Sequence, residues 1–228
     1  MKIGILLCGL SSPVMHEKYG YYDQQFRDLL APFGFEFATF TVVSGELPTA
    51  VDDCDGYLLT GSKHNLDECL PWMAPMLEWI ATTYGNKPLV GICFGHQAIA
   101  KALGGSVADA PVVYQTGVIN YNKSDGSQMS VAAWHGQQIV DLPPVALEVT
   151  ASAEHCPAAA IVYANKAISY QAHPEFGDDY IRDLYASYND VLALEAKQFY
   201  QAKVGKFKVN HAINREMAEF FKRHGPDH

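Results

Sequence analysis

Up to Gly105 the chain alternates short continuous apolar runs with stretches whose apolar residues recur at helical spacing. Lys2–Leu7, "KIGILL", reads as a strand buried on both faces, with Gly9 where such a strand should turn. Tyr22–Phe33 carries Phe26, Leu29, Leu30 and Phe33 on one helical face, and Gly34 ends it. Phe35–Val43 is rich in β-formers, and Tyr57–Thr60 is a short strand running into a glycine turn. "PWMAPMLEWIATTYG" predicts a helix with a proline in its first turn and Gly85 at its end. Pro88–Ile92 is the next strand, and Phe94–Leu103 the next helix, closed by Gly104 and Gly105. Successive β-α-β units imply a parallel sheet covered by helices on both faces.

From Ser106 the period changes. Val112–Tyr121, Ser130–Trp134, Leu147–Ala153, Ala159–Tyr163 and Ala167–Gln171 all read as strands, joined by turns such as "KSDGS" and "ANK". They form a strand-rich insertion that should rejoin the sheet at "AISYQAH". From Asp178 the chain is polar and helical, with a further helical stretch around Ala212–Arg223. The expected fold is α/β: a mostly parallel, flavodoxin-like central sheet with helices on both faces, a strand-rich insertion and a C-terminal helical tail. One domain is expected over residues 1–228, with its core at 2–176 and a helical extension at 178–228. No linker, repeat or low-complexity segment interrupts it.

Composition narrows the function. The 228 residues suit one α/β unit. The formal charge of −9, from 16 Lys and Arg against 25 Asp and Glu, argues against a nucleic-acid partner, which needs clustered cations. No apolar run approaches the roughly 20 residues that span a bilayer, so no membrane partner is expected. The N-terminal "MKIGILLCGLSS" superficially resembles a signal peptide, but reads better as a first strand. Cys8, Cys54, Cys69, Cys93 and Cys156 are odd in number, irregularly spaced and without a C-x-x-C pair. Neither a disulfide framework nor a zinc site is indicated, and a reduced, cytoplasmic protein without metal or cofactor is expected.

One cysteine has a special setting. In "VGICFGHQAIA", Cys93 lies between Gly91 and Gly95, where a buried strand runs into a helix. This is the arrangement of the hydrolase nucleophile elbow, G-x-S-x-G, with Cys replacing Ser. Side chains at the glycine positions would collide with the neighbouring strand and helix. A helix N-terminus favours thiolate over thiol, and the free amide of Phe94 can face the oxygen of a substrate carbonyl. The other four cysteines read as core or incidental.

A cysteine nucleophile needs a base, and the base an orienter. His16, His64, His211, His224 and His228 lie in polar loops or the tail, and His96 packs or faces solvent from the nucleophile helix. His135 and His155 are harder to dismiss, but no acidic residue is placed to hold either ring. His173 has one. In "YQAHPEF" Pro174 biases His173 towards extended backbone, so residues 173 and 175 should project to one side and bring Glu175 to the imidazole. A nucleobase-deaminase zinc reading of H-x-E lacks its P-C-x-x-C partner.

"GICFGHQ" and "AHPEF", in this order and spacing, resemble the two catalytic motifs of the class I glutamine amidotransferases. The general likeness is to the glutaminase domain of GMP synthase and its free-standing relatives. It extends to "TGS", "AWHGQQIVDLP" and "ASAEHCPAAAI" and covers roughly Lys2 to Phe176. The resemblance implies that Cys93 attacks the γ-carbonyl of glutamine or another γ-glutamyl molecule, with His173 and Glu175 completing a triad and water clearing a glutamyl thioester. It implies an oxyanion hole from Phe94 and the Gly61–Ser62 turn, and substrate contacts from Gln97, Gly136 and Gln137. Trp134 departs from the small polar residue that often precedes His-Gly in this group. No phosphate loop or pyrophosphatase-type loop follows, so an acceptor activity is expected, if anywhere, on a separate synthetase subunit. Three readings stand: an amidotransferase supplying ammonia to such a partner, a self-sufficient γ-glutamyl peptidase, and a non-catalytic binding or regulatory protein on the same fold.

Overall fold

The computed structural model describes residues 1–111, 115–190, 192–201 and 211–226. A nine-stranded sheet runs in the order β2-β1-β3-β4-β11-β10-β9-β6-β7. Its parallel half is β2 (Glu36–Phe40), β1 (Lys2–Leu6), β3 (Gly56–Leu59), β4 (Leu89–Ile92) and β11 (Ala167–Tyr170). The other half is antiparallel: β10 (Cys156–Tyr163), β9 (Ala146–Ala153), β6 (Gln115–Lys123) and β7 (Gln128–His135). As expected, the strand-rich insertion rejoins the sheet. It extends the same sheet, and "AISY" returns as β11 between β4 and β10.

The parallel strands read as continuous apolar runs because both faces are covered. Ile3, Ile5, Leu58, Val90 and Ile92 pack with Phe26 and Leu30 of α2 (Tyr22–Leu30) and with Ile213, Met217 and Phe221 of α7 (His211–His224). Leu6, Tyr57, Leu59 and Leu89 face the other way. They meet Met76 and Ile80 of α3 (Met73–Thr83) and Ala98 and Ile99 of α4 (Phe94–Ala102). The polar C-terminal segment thus supplies buried side chains to the cluster that covers the sheet. Phe221 lies 6.0 Å from Phe35, centroid to centroid, and against Gly56, where a Cβ would approach it to 2.9 Å.

Several boundaries differ from expectation for local reasons. Helix α2 stops at Leu30 and tightens into a 3-10 turn over Ala31–Phe33, where Pro32 cannot extend the α-helical ladder. Strand β2 stops at Phe40, and Val42–Ser44 turns instead. A helix α1 (Pro13–Tyr19), capped by the Ser12 side chain with Pro13 in its first turn, was not anticipated. Nor were β5 (Ser106–Asp109) and β8 (Gln137–Asp141), which pair into a small second sheet. The beginning of the expected Val112–Tyr121 strand, residues 112–114, lies outside the described residues. Helices α5 (Asp178–Tyr188) and α6 (Leu194–Gln201) precede α7.

Because Phe221 is fully buried, Phe221→Ala is expected to lower the unfolding free energy by about 3–5 kcal/mol. Urea denaturation checks this; a loss under about 1 kcal/mol would mean that α7 is not docked on the sheet.

Candidate active site

Cys93 occupies the residue between β4 and α4, with φ 51° and ψ −105°, a left-handed value that is strained for a side-chain-bearing residue. The backbone is pinned on both sides. The Cys93 amide donates to Tyr170 O of β11 at 2.8 Å, and its carbonyl accepts from Gln97 N at 3.1 Å. The flanking glycines meet the collisions expected of them. A Cβ at Gly91 would lie 2.5 Å from the Gly95 carbonyl oxygen, and one at Gly95 would lie 2.5 Å from that of Leu59. The Cys93 sulfur lies 3.9 Å from Trp134 O.

His173 follows β11, whose partner strand is β4, so both residues emerge at the carboxyl ends of adjacent strands. The His173 amide donates to Ala132 O of β7 at 2.8 Å, tying the loop to the antiparallel half. Nδ1 of His173 lies 2.7 Å from Oε1 of Glu175, whose side chain is wholly buried. The contact is made differently from the expected strand alternation. Residues 174 and 175 form a turn, closed by Phe176 N donating to His173 O at 3.3 Å, and the turn folds the carboxylate back onto the ring. Phe176 stacks on the imidazole at 4.0 Å and 3°, fixing its plane from the other side.

Burial and charge act in opposite directions on the histidines. Burial works against the charged form of His173, but the Glu175 carboxylate and the Cys93 sulfur overcome it and push the ring up to about 10. His135 is pushed down to about 4, by burial first and by the nearby His173 charge. His96 is pushed down to about 3, mainly by burial, with its Nδ1 2.7 Å from Ser169 Oγ. His96 is thus a packed core histidine. His155 is part-exposed beside Glu154, and the side chain of His211 and all of His228 lie outside the described residues.

A pocket of about 90 Å³ brings together Cys93, Phe94, His173, Ser62, Gln97, Gly136 and Gln137. Gly61 backs the imidazole: a Cβ there would lie 2.9 Å from His173 Cε1 and 3.7 Å from Cys93 Cβ. Several residues expected to touch substrate are engaged within the protein. The Gln97 amide donates to Gln137 O at 2.8 Å and to Gln171 Oε1 at 3.1 Å. The Gly136 carbonyl accepts from Ala110 N at 2.8 Å. The Gln137 carbonyl also accepts from His135 Nδ1 at 3.0 Å. Their place is at the pocket, but these atoms hold its wall. Tyr22, Lys63, His64, His135, Leu184 and Tyr188 also line it. His64, expected to be an incidental loop residue, does lie in a loop, with Nδ1 2.8 Å from Glu68 Oε2, and from there it lines the pocket. Tyr188 and Leu184 come from α5, with Tyr188 packed 5.8 Å from Trp134, and no local pattern links them to the segments that carry Cys93 and His173. Among the described residues, no cluster of His, Cys, Asp and Glu could hold a metal ion, and no helix is long and apolar enough to cross a membrane.

The family model for class I glutamine amidotransferases matches residues 20–180. The chain belongs to that family. A candidate glutamine amidotransferase of Saccharomyces cerevisiae is 30% identical over 182 residues, covering 73% of this chain and 72% of its own. Gamma-glutamyl peptidase 4 of Arabidopsis thaliana is 36% identical over 109 residues, 46% of this chain and 43% of its own. A glutamine-hydrolysing GMP synthase subunit of Sulfurisphaera tokodaii is 29% identical over 143 residues, 59% of this chain and 74% of its own. The crystal structure of a glutamine amidotransferase from Methylobacillus flagellatus superposes with a TM-score of 0.75 at 22% identity, over 99% of this chain and 96% of that one, which shows the shared fold. The amidotransferase and peptidase relatives support a hydrolase-type enzyme.

The opposed environments of the three buried histidines predict distinct titrations. Ring-nitrogen NMR from about pH 5 to pH 9 should find His173 protonated throughout and His96 and His135 neutral throughout. A His173 signal titrating near the ordinary value of about 6.5 would show that Glu175 does not govern it.

Proposed function

We propose that this protein hydrolyses the γ-amide of γ-glutamyl compounds, glutamine first among them, and passes the released ammonia to a separate acceptor subunit. The observation that carries the reading is the juxtaposition of Cys93 with the Glu175-bound imidazole across the ends of β4 and β11. In this reading the Cys93 sulfur attacks the γ-carbonyl carbon, forming a C–S bond. The Phe94 amide at the helix start and one amide from the Gly61–Ser62 turn face the resulting oxyanion. Imidazolium His173 gives its proton to the departing nitrogen as the C–N bond breaks, and then takes one from the water that cleaves the thioester. Glu175 holds the tautomer. The GMP synthase relative from Sulfurisphaera tokodaii supports delivery to a synthetase partner.

A second reading, a self-contained γ-glutamyl peptidase, is favoured by a specific feature. Trp134, Leu184 and Tyr188 give the pocket an apolar wall from this chain's own β7 and α5, more than departing ammonia requires. The peptidase relative supports it too.

An electrophilic glutamine analogue should label Cys93 ahead of the other cysteines, and Cys93→Ala or His173→Ala should lower kcat/KM by more than about 10³-fold. Label on Cys8 or Cys156 with Cys93 untouched would sink the assignment. Steady-state kinetics on glutamine beside γ-glutamyl dipeptides separate the two readings. A dipeptide preferred about a hundredfold, roughly 2.7 kcal/mol of transition-state binding, overturns the amidotransferase reading. Gly61→Ala should displace the imidazole and lower kcat about 10- to 100-fold while the fold persists; unchanged kcat would mean that the ring does not rest on Gly61.

A further inference from the structure

Glu175 spends only one of its oxygens on His173. Oε1 takes the imidazole, while Oε2 is buried with no hydrogen-bond partner among the described residues. An ionised oxygen in that state is unfavourable unless donors stand close to it. Three other elements bring polar groups to the same place: Ser11 after β1, Tyr22 and Gln25 on one face of α2, and Tyr180 in the first turn of α5. Ser11 Oγ, both amide atoms of Gln25 and the Tyr180 hydroxyl are likewise buried and unpartnered by ordinary hydrogen-bond geometry. Gln25, Tyr180 and Glu175 line one surface groove on this side of the protein. The Tyr180 hydroxyl faces Gln25, Ser11 and Tyr22, and both tyrosines feel the charge of Glu175. Burial pushes Tyr180 up to about 12, so it keeps its proton and remains a donor at neutral pH.

We infer that Tyr180 and Gln25 are positioning residues for Glu175: they offer donors to its second oxygen and so favour an ionised carboxylate aimed at His173. The inference rests on the reading of Glu175 as the orienter of His173. It gives α5 a second task besides walling the pocket: its first turn sets the charge on the base. Tyr180 is held for that task by stacking on Phe176 at 4.2 Å, the same ring that stacks on His173. Among the described residues, the other charged groups lining the two grooves beside Glu175 are Asp178 and Asp179 of α5, Asp28 of α2, and Lys18 of α1, which is paired with Asp183.

The test is the pH dependence of Cys93 alkylation by iodoacetamide, resolved by peptide mass spectrometry, in the full chain. A less firmly held carboxylate supports imidazolium less, so thiolate forms at higher pH. Tyr180→Phe and Gln25→Leu should each raise the alkylation midpoint by about 0.5 unit or more, with Glu175→Gln raising it further. For whichever γ-glutamyl substrate is turned over, kcat should fall about 3- to 10-fold with KM changed less than about twofold. Midpoints unmoved in Tyr180→Phe and Gln25→Leu, but moved in Glu175→Gln, overturn the inference and leave the triad standing. A lowered Tm with an unmoved midpoint marks a merely structural role and overturns it equally. An unmoved midpoint in Glu175→Gln removes the triad reading and the inference with it.

Discussion

The backbone of α4 approaches the sheet more closely than any side chain permits, and the site depends on that approach. Gly95 lies against the Leu59 carbonyl of β3, and Gly91 lies against the carbonyl of Gly95. With those two positions bare, the chain can pass from β4 into α4 through a single residue. That residue, Cys93, must then take a positive φ, which places its sulfur at the helix start and the carboxyl end of the sheet. Strain of this kind persists only where its surroundings over-determine it. Here the backbone bonds to Tyr170 and Gln97 do so. The bond to Tyr170 also ties the Cys93 elbow to β11, the strand that leads to His173.

Electrostatics then separate three buried histidines that composition alone would treat alike. Desolvation disfavours charge on all of them. His96 finds a hydroxyl and His135 a carbonyl, and both stay neutral. Only His173 meets a buried carboxylate and the Cys93 sulfur, and there the charged ring prevails. The turn at Pro174–Glu175 makes the difference, because it brings the carboxylate to Nδ1 while Phe176 holds the ring flat. His135 beside it is a neutral wall residue that supports Gln137, whose carbonyl also fixes Gln97.

The two halves of the sheet contribute differently. The parallel half carries Cys93 and His173 at strand ends, where open α/β sheets gather their ligands. The antiparallel half and α5 supply the wall: Trp134 from β7, Leu184 and Tyr188 from α5. On the proposed function, a triad of Cys93, His173 and Glu175 held by backbone geometry and a wall assembled from long-range packing can vary independently. That this chain is similar to proteins named as an amidotransferase, a peptidase and a GMP synthase subunit fits that division of labour.

By itself the sequence determined whatever depends on local rules. Continuous apolar runs and helical spacing marked β1, β3, β4, α2, α3 and α4, and glycines two residues either side of Cys93 marked the elbow. The H-P-E run gave the pairing of His173 with Glu175, although through a turn rather than an extended strand, because only coordinates distinguish two local routes to one contact. Strands β5 and β8 stayed hidden, since short segments without clear alternation gain their identity from pairing with each other. His64 at the rim, Leu184 and Tyr188 on the wall, and the polar groups of Ser11, Gln25 and Tyr180 around Glu175 were invisible for a related reason. Each is an ordinary loop, helix or surface residue by its neighbours in the chain. Tertiary structure alone decided their places, by packing α2 and α5 against the end of the sheet where Cys93 and His173 emerge.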